Sequence, residues 1–211
     1  MVQSFLFGQG PLHVAISLPA TAVSLEVIEP LVRCIIEERI PIVTFGFPKK
    51  PGTEFASMIA SFFADVKNCE LWASQQVKVS VLGKWYDLPE RVREAIKDVI
   101  ESTRDFDRFF VNICVNYDGH EEVVEAVKLI GLQIQSGRLS PELITSKMVK
   151  ENLFTSSLIP PQLLIQVGSA KLDGFLLWDS RYAFFYMKSG STFGSEDVRD
   201  ALKWYKKKKD A

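Results

Sequence analysis

His120 carries the most chemical promise in this sequence because of its neighbours. Asn116-Tyr117-Asp118-Gly119 closes an apolar run just before it, and Glu121 and Glu122 follow at once. Such a stretch ends a strand and opens a helix, the place in open α/β sheets where free backbone N–H groups meet ligands. The plainer role of the same residues is local: Asn116 and Asp118 shape a turn and cap the helix. His13 stands at the start of another apolar run, where a satisfied structural histidine is the expectation. Gly8-Gln9-Gly10 shows Gly-x-Gly, but it precedes a strand and lacks the third glycine of a dinucleotide loop. No GxxxxGK[ST], GxSxG, HExxH or DxDxDG motif occurs.

Cys34, Cys69 and Cys114 are odd in number, far apart and set in apolar runs, without any CxxC pair. They read as free thiols in a reducing compartment, not as zinc ligands. MVQSFLFGQG lacks the basic and apolar regions of a signal peptide, and no run approaches the ~18 apolar residues of a membrane span. A cytoplasmic protein is expected. Lys206–Lys209 follow Trp204 and Tyr205. They form either a solvated helix end that complements the dipole or a peripheral membrane contact with the aromatics at headgroup level.

The elements that position these residues alternate along the chain. Strands are predicted at 12–18, 40–47, 77–83, 109–117, 162–167 and 183–187. Helices are predicted at 24–39, 53–72, 88–102, 119–135 and 196–207. Pro30 should kink the first helix or delay its start. The 119–135 helix should face inward through Val123, Val127, Ile130 and Ile134. Phe175–Trp178 is expected in a helix following the fifth strand. Strands separated by helices of this length define a three-layer α/β fold with a mainly parallel sheet of six strands, read as one domain over 1–211.

Composition supports that reading. The 211 residues are 47% hydrophobic and 24% charged, enough for a core that needs no disulfide or structural metal. The formal charge of −1 gives no electrostatic argument for nucleic acid. Fifteen phenylalanines suit either a dense core or an apolar cavity.

Several segments, in order, resemble the cis-prenyltransferase family, which includes the undecaprenyl diphosphate synthases. LHVAISL is similar to the family's HVAIIM strand. FFVNICVNYDGHEEVVEAV is similar to its strand, NYGGR turn and helix. GFLLWDSRYAFFYM (174–187) is similar to NFLLWQxAYAELYF. The resemblance implies helices around an elongated hydrophobic tunnel, with the 53–72 helix as a wall, usually in a dimer. Asn116, His120 and Lys171 then stand at vestigial substrate-binding positions.

The departures from the pattern are systematic. Pro19, Ala20 and Thr21 occupy the positions of the family's Asp-Gly-Asn, whose aspartate works with magnesium. A proline side chain offers no oxygen ligand, so no cofactor is expected. QVGSAKLDG (166–174) matches the segment that grips isopentenyl diphosphate. Gln166 replaces its first arginine, Lys171 the second, and Asp173 its serine. Glutamine lacks the bidentate fork of arginine, and an acid repels a diphosphate. Phe184 replaces a glutamate.

The resemblance therefore implies a non-catalytic subunit of the Nogo-B-receptor type, a homodimer or a heterodimer with a catalytic homologue. WYKKKKDA contains no Arg-x-Gly motif of the kind accessory subunits lend to a partner, so structural support is the expected role. Phe184, Phe185 and Tyr186 are expected at the interface. The other readings are a module that holds a polyprenyl lipid in the tunnel and a divergent active prenyltransferase.

Overall fold

A computed structural model describes residues 10–48, 52–169, 171 and 174–210. The apolar runs form six strands: β1 (His13–Ser17), β2 (Ile42–Gly46), β3 (Val77–Leu82), β4 (Phe109–Cys114), β5 (Leu163–Val167) and β6 (Phe184–Lys188). They build one sheet in the order β3-β4-β2-β1-β5-β6, with every neighbouring pair parallel. A parallel sheet is covered on both faces, which is why β1 and β5 are buried along their whole length. The helices are α1 (Leu25–Glu37), α2 (Thr53–Asn68), α3 (Glu70–Ser74), α4 (Glu90–Ser102), α5 (Gly119–Gln135), α6 (Ser146–Glu151) and α7 (Ser195–Lys209).

Alternate strand residues point to opposite faces and feed two cores. Val14, Ile16, Phe45, Val111 and Ile165 meet residues of α1, α2, α4 and α7 in the larger one. Ala15, Cys114 and Leu164 meet Tyr117 and Leu176 in a smaller one. That thinner side is closed by chain turns as much as by helices, and it holds the site described below. The first helix and the last are joined: Ser195 Oγ donates to the Pro30 carbonyl at 3.1 Å, and Arg199 pairs with Glu37 at 2.9 Å.

Several expectations are corrected. Pro30 lies inside α1, which starts at Leu25 regardless, because Ile28, Leu31, Val32 and Ile35 bury its face. The 53–72 helix breaks at Cys69, whose backbone is extended, into α2 and α3. Its Phe62 and Phe63 are buried edge to face at 5.1 Å and pack the core. The space beside α2 is an open groove of about 350 Å³ with Ser57, Ser61 and Asp65 on its walls.

Phe175–Trp178 forms a turn, not a helix, leading into a single 3-10 turn at Asp179–Tyr182. Leu176 sits there at φ +48 and Gly174 at φ +74, dihedrals that end regular helix. In α5 the inward residues are Glu122, Ala126 and Ile130, whereas Val127 is 57% exposed. Polar partners for Glu122 rotate the helix away from its most apolar stripe. Phe184 is 36% exposed and Tyr186 half-buried. Their rings lie 5.4 Å from Tyr205 and 5.5 Å from Trp204. The same contacts turn Trp204 and Tyr205 toward β6, while Lys206–Lys209 remain exposed at the helix end.

Candidate functional site

β1 leads into α1 on one side of the sheet, while β5 leads into the 174–182 turn on the other. The two strands are neighbours, with Ser17 opposite Gln166. Divergence of adjacent strand connections opens a crevice beyond the carboxyl ends of the strands. Two cavities lie there on either side of Phe175. One, of about 200 Å³, is lined by His120, Leu164, Gln166, Gly174, Phe175, Leu177, Ser180 and Phe185. The other, of about 220 Å³, is lined by Ser17, Gly46, Phe47, Pro48, Tyr117, Asp118 and Phe175.

Two glycines let the walls close. A Cβ on Gly46 would enter the ring of Phe175, and a Cβ on Gly119 would strike the Gly174 carbonyl and come within 2.7 Å of Leu177 Cβ. The first turn of α5 therefore lies directly on the 174–177 turn. Asp118 caps that helix, accepting from the N–H groups of His120 at 2.8 Å and Glu121 at 3.0 Å. Its carboxylate occupies the helix N-terminus where an anion would otherwise dock.

The fold brings His120 and Gln166 into one cavity and leaves Asn116 and Lys171 outside it. Asn116, at φ +49, donates through Nδ2 to the Lys84 carbonyl at 2.9 Å and accepts from the Lys84 N–H at 3.2 Å, joining the ends of β3 and β4. Lys171 is exposed, with its backbone N–H on Ser169 Oγ. Pro19 precedes the 3-10 turn Ala20–Ala22, and its carbonyl accepts from the Ala22 N–H at 2.9 Å. Asp173 lies outside the described residues. Gln166 is 3% exposed, and its Oε1 has no hydrogen-bond partner.

Sequence reasoning missed a buried polar network beneath this crevice. Tyr117 donates to Glu122 Oε2 at 2.6 Å, and the Thr155 N–H donates to Glu122 Oε1 at 2.9 Å. Burial pushes the Glu122 carboxyl up, and burial beside that carboxylate pushes the Tyr117 phenol up. Lys150 Nζ donates to the Thr155 carbonyl at 2.5 Å and lies 2.6 Å from Asp179 Oδ1, which is buried. In the sequence Glu122 reads as a first-turn acid of the helix, and only the fold shows it buried.

These contacts bear on metal binding. Glu122 and Asp179 spend their oxygens on protein donors, and Asp118 Oδ1 is spent on capping α5. Among the described residues no three His, Cys, Asp or Glu side chains gather as a metal-ligating group. The described residues do not fit a magnesium site. Among the described residues lining the two cavities there is also no arginine or lysine.

Comparison with known proteins defines the class. The fold matches lavandulyl diphosphate synthase from Lavandula x intermedia, solved with dimethylallyl diphosphate, at a TM-score of 0.84 and 25% identity over 94% of this chain and 96% of that one. It also matches a Campylobacter jejuni chain described as a probable undecaprenyl diphosphate synthase, with a TM-score of 0.74, 20% identity and coverage of 92% and 94%. The model of the family described as "Putative undecaprenyl diphosphate synthase" matches residues 24–211. The chain belongs to this family, the undecaprenyl diphosphate synthase-like cis-prenyltransferases.

An isoprenyl transferase of Thermotoga maritima is 30% identical over 87% of this chain and 82% of its own length. A tritrans,polycis-undecaprenyl-diphosphate synthase (geranylgeranyl-diphosphate specific) of Methanocaldococcus jannaschii is 32% identical over 67% of this chain. That match spans 52% of the archaeal protein, about half its length. Among the described residues no helix is long and apolar enough to cross a membrane.

Proposed function

We propose that this chain is a non-catalytic subunit of a cis-prenyltransferase and supports a catalytic homologue of the same fold. The observation that carries this reading is the lining of the crevice: Gln166 and apolar rings stand where a diphosphate would need cations. Transfer of an isoprenyl group depends on positive charge aimed at the leaving diphosphate. Here the nearest polar groups are an amide, a serine and an exposed imidazole. The carboxylates are held by Lys150, Tyr117 and backbone N–H groups.

A catalytic homologue of the kind named among the relatives as transferases would supply the chemistry. The surface proposed for that partner is 174–205. Tyr182 and Met187 stand out from it, 79% and 50% exposed. Phe185 lines the smaller cavity, and Phe184 and Tyr186 act behind that surface by fixing β6 against α7.

The test is an assay of the isolated chain and of the complex purified from its source cells, with isopentenyl and farnesyl diphosphates and magnesium. The isolated chain is expected to make no product, and Pro19→Asp is expected to restore none, because one repair among several defects recovers little. The complex is expected to be active. Robust magnesium-dependent turnover by the isolated chain overturns the proposal, and so does purification without any homologue.

A further inference from the structure

We infer that the end of the sheet opposite the crevice is a docking surface for an anionic lipid bilayer. All six strands are parallel, so their amino ends share one side of the molecule and the crevice lies at the other. Arg39 stands on the turn into β2, Arg108 directly before β4 and Arg181 three residues before β6, and all three are exposed. α7 runs antiparallel to β6, since Asp197 pairs with Lys188 at 2.5 Å and the Tyr205 ring lies 5.4 Å from that of Phe184. Its tip therefore points to that same end. Tyr205 is the last buried residue of α7, and Lys206–Lys209 carry the helix about 6 Å beyond it. Counting Arg104 and Arg199 with these, nine cations stand against Glu37, Glu38, Glu101, Asp105, Asp107 and Asp210. That is an excess of three on a chain whose formal charge is −1.

Two features favour a bilayer over a nucleic acid. Successive helix residues turn by about 100°, so the four lysines ring the tip of α7 instead of lining one face. A helix that enters a groove presents a stripe, whereas a tip ringed with charge meets a plane of headgroups. The cations also stand beside rings and hydrocarbon. Arg108 lies over Phe109 at 5.5 Å, and Arg181 over Tyr182 at 5.0 Å, on the rim shared with the 174–205 surface. Ile159, whose carbonyl meets His13 at the start of β1, is 45% exposed. Amphipathic rings and long cationic stems settle at the boundary between headgroups and acyl chains. β4 and β6 are four strands apart, so this face is about 19 Å across.

The inference does not depend on the subunit proposal, because binding is read on the isolated full-length chain without a partner. The probes are vesicles of phosphatidylcholine alone and of an equal mixture with phosphatidylglycerol, followed by sedimentation. Binding is expected to the mixed vesicles only, and it should fall as salt rises. Replacing Lys206, Lys207, Lys208 and Lys209 together by glutamine should weaken it about a hundredfold or more. Arg39→Gln combined with Arg108→Gln should weaken it about tenfold, a change that a lysine tail acting alone would not feel. Both variants alter exposed side chains, and thermal melts should match the wild type. Short double-stranded DNA is titrated at the same salt. The inference is overturned by equal binding to neutral vesicles, by no binding to the mixed ones, by an arginine variant that binds as the wild type does, or by DNA bound more tightly than the mixed vesicles.

Discussion

His13 Nε2 lies 2.7 Å from Thr44 Oγ1 across the β1–β2 pair, while the Nδ1 of the same ring lies 2.5 Å from the Ile159 carbonyl. A carbonyl can only accept, so Nδ1 carries the proton and Nε2 receives the Thr44 hydroxyl. Thr44 in turn accepts from Asn112 Nδ2 at 3.1 Å. The neutral imidazole is thus built into three adjacent strands, and burial pushes its pKa down from 6.5 to about 4.

That shift fixes a pH dependence. The unfolded chain binds a proton on His13 near pH 6.5 and the folded chain only near pH 4, so the contribution of His13 is complete above pH 6.5 and is lost as pH falls through 4. The full loss is about 3 kcal/mol. Glu122, with its carboxyl raised, works in the opposite sense. Urea unfolding of the wild type and His13→Gln at several pH values should show their stability difference shrinking between pH 6.5 and 4. A constant difference would count against the neutral buried ring.

Lys150→Met should destabilise the fold by about 3–5 kcal/mol, because it leaves Asp179 buried without its cation. Adding Asp179→Leu should recover much of that loss. Denaturant midpoints of the two single variants and the double variant decide it: simple additivity would show that the pair is not coupled.

Gly119→Ala should cost more than Gly46→Ala. The first pushes on the Gly174 backbone carbonyl, whereas the second meets a ring, Phe175, that can swing aside. Overpacking of this kind costs about 1–3 kcal/mol, with Gly46→Ala at the lower end. Thermal melts of both variants test the order, and equal losses would refute it.

Tyr182→Asp and Met187→Asp should weaken association with a homologue while leaving the melting temperature nearly unchanged, since both side chains are largely exposed. Phe184→Glu should instead lower the melting temperature, because it removes a ring stacked edge-on against Tyr205. Light scattering beside thermal melts separates the two effects. Association unaffected by either exposed variant would move the proposed interface elsewhere.

The strands were legible because each is a short apolar run bounded by turn residues, and a sheet buried on both faces leaves that signature. The 119–135 helix was legible to its ends because Asp118 caps it. Its inward face was not, because the partners that draw Glu122 inside, Tyr117 and Thr155, are brought together only by the fold. Phe175–Trp178 misled for a related reason. Four large apolar residues suggest a helix, and nothing local announces that Leu176 adopts a left-handed backbone in order to bury its side chain. In the site, the replacement of Arg by Gln166 was visible as a change of type, whereas the unpartnered oxygen beside an apolar cavity needed three dimensions.

The clasp between α7 and α1 governs how this protein can be made. β1 takes β5 as a neighbour, and α1 takes its seal from Ser195 and Arg199. A ribosome therefore releases the first third of the chain long before the residues that complete its surroundings exist. During that interval the apolar faces of β1 and α1 are open to water and to other chains, and pairings this distant in sequence close slowly. Shortening the chain before residue 195 would strip α1 of its cover, so the last helix acts as the latch that ends the period of exposure.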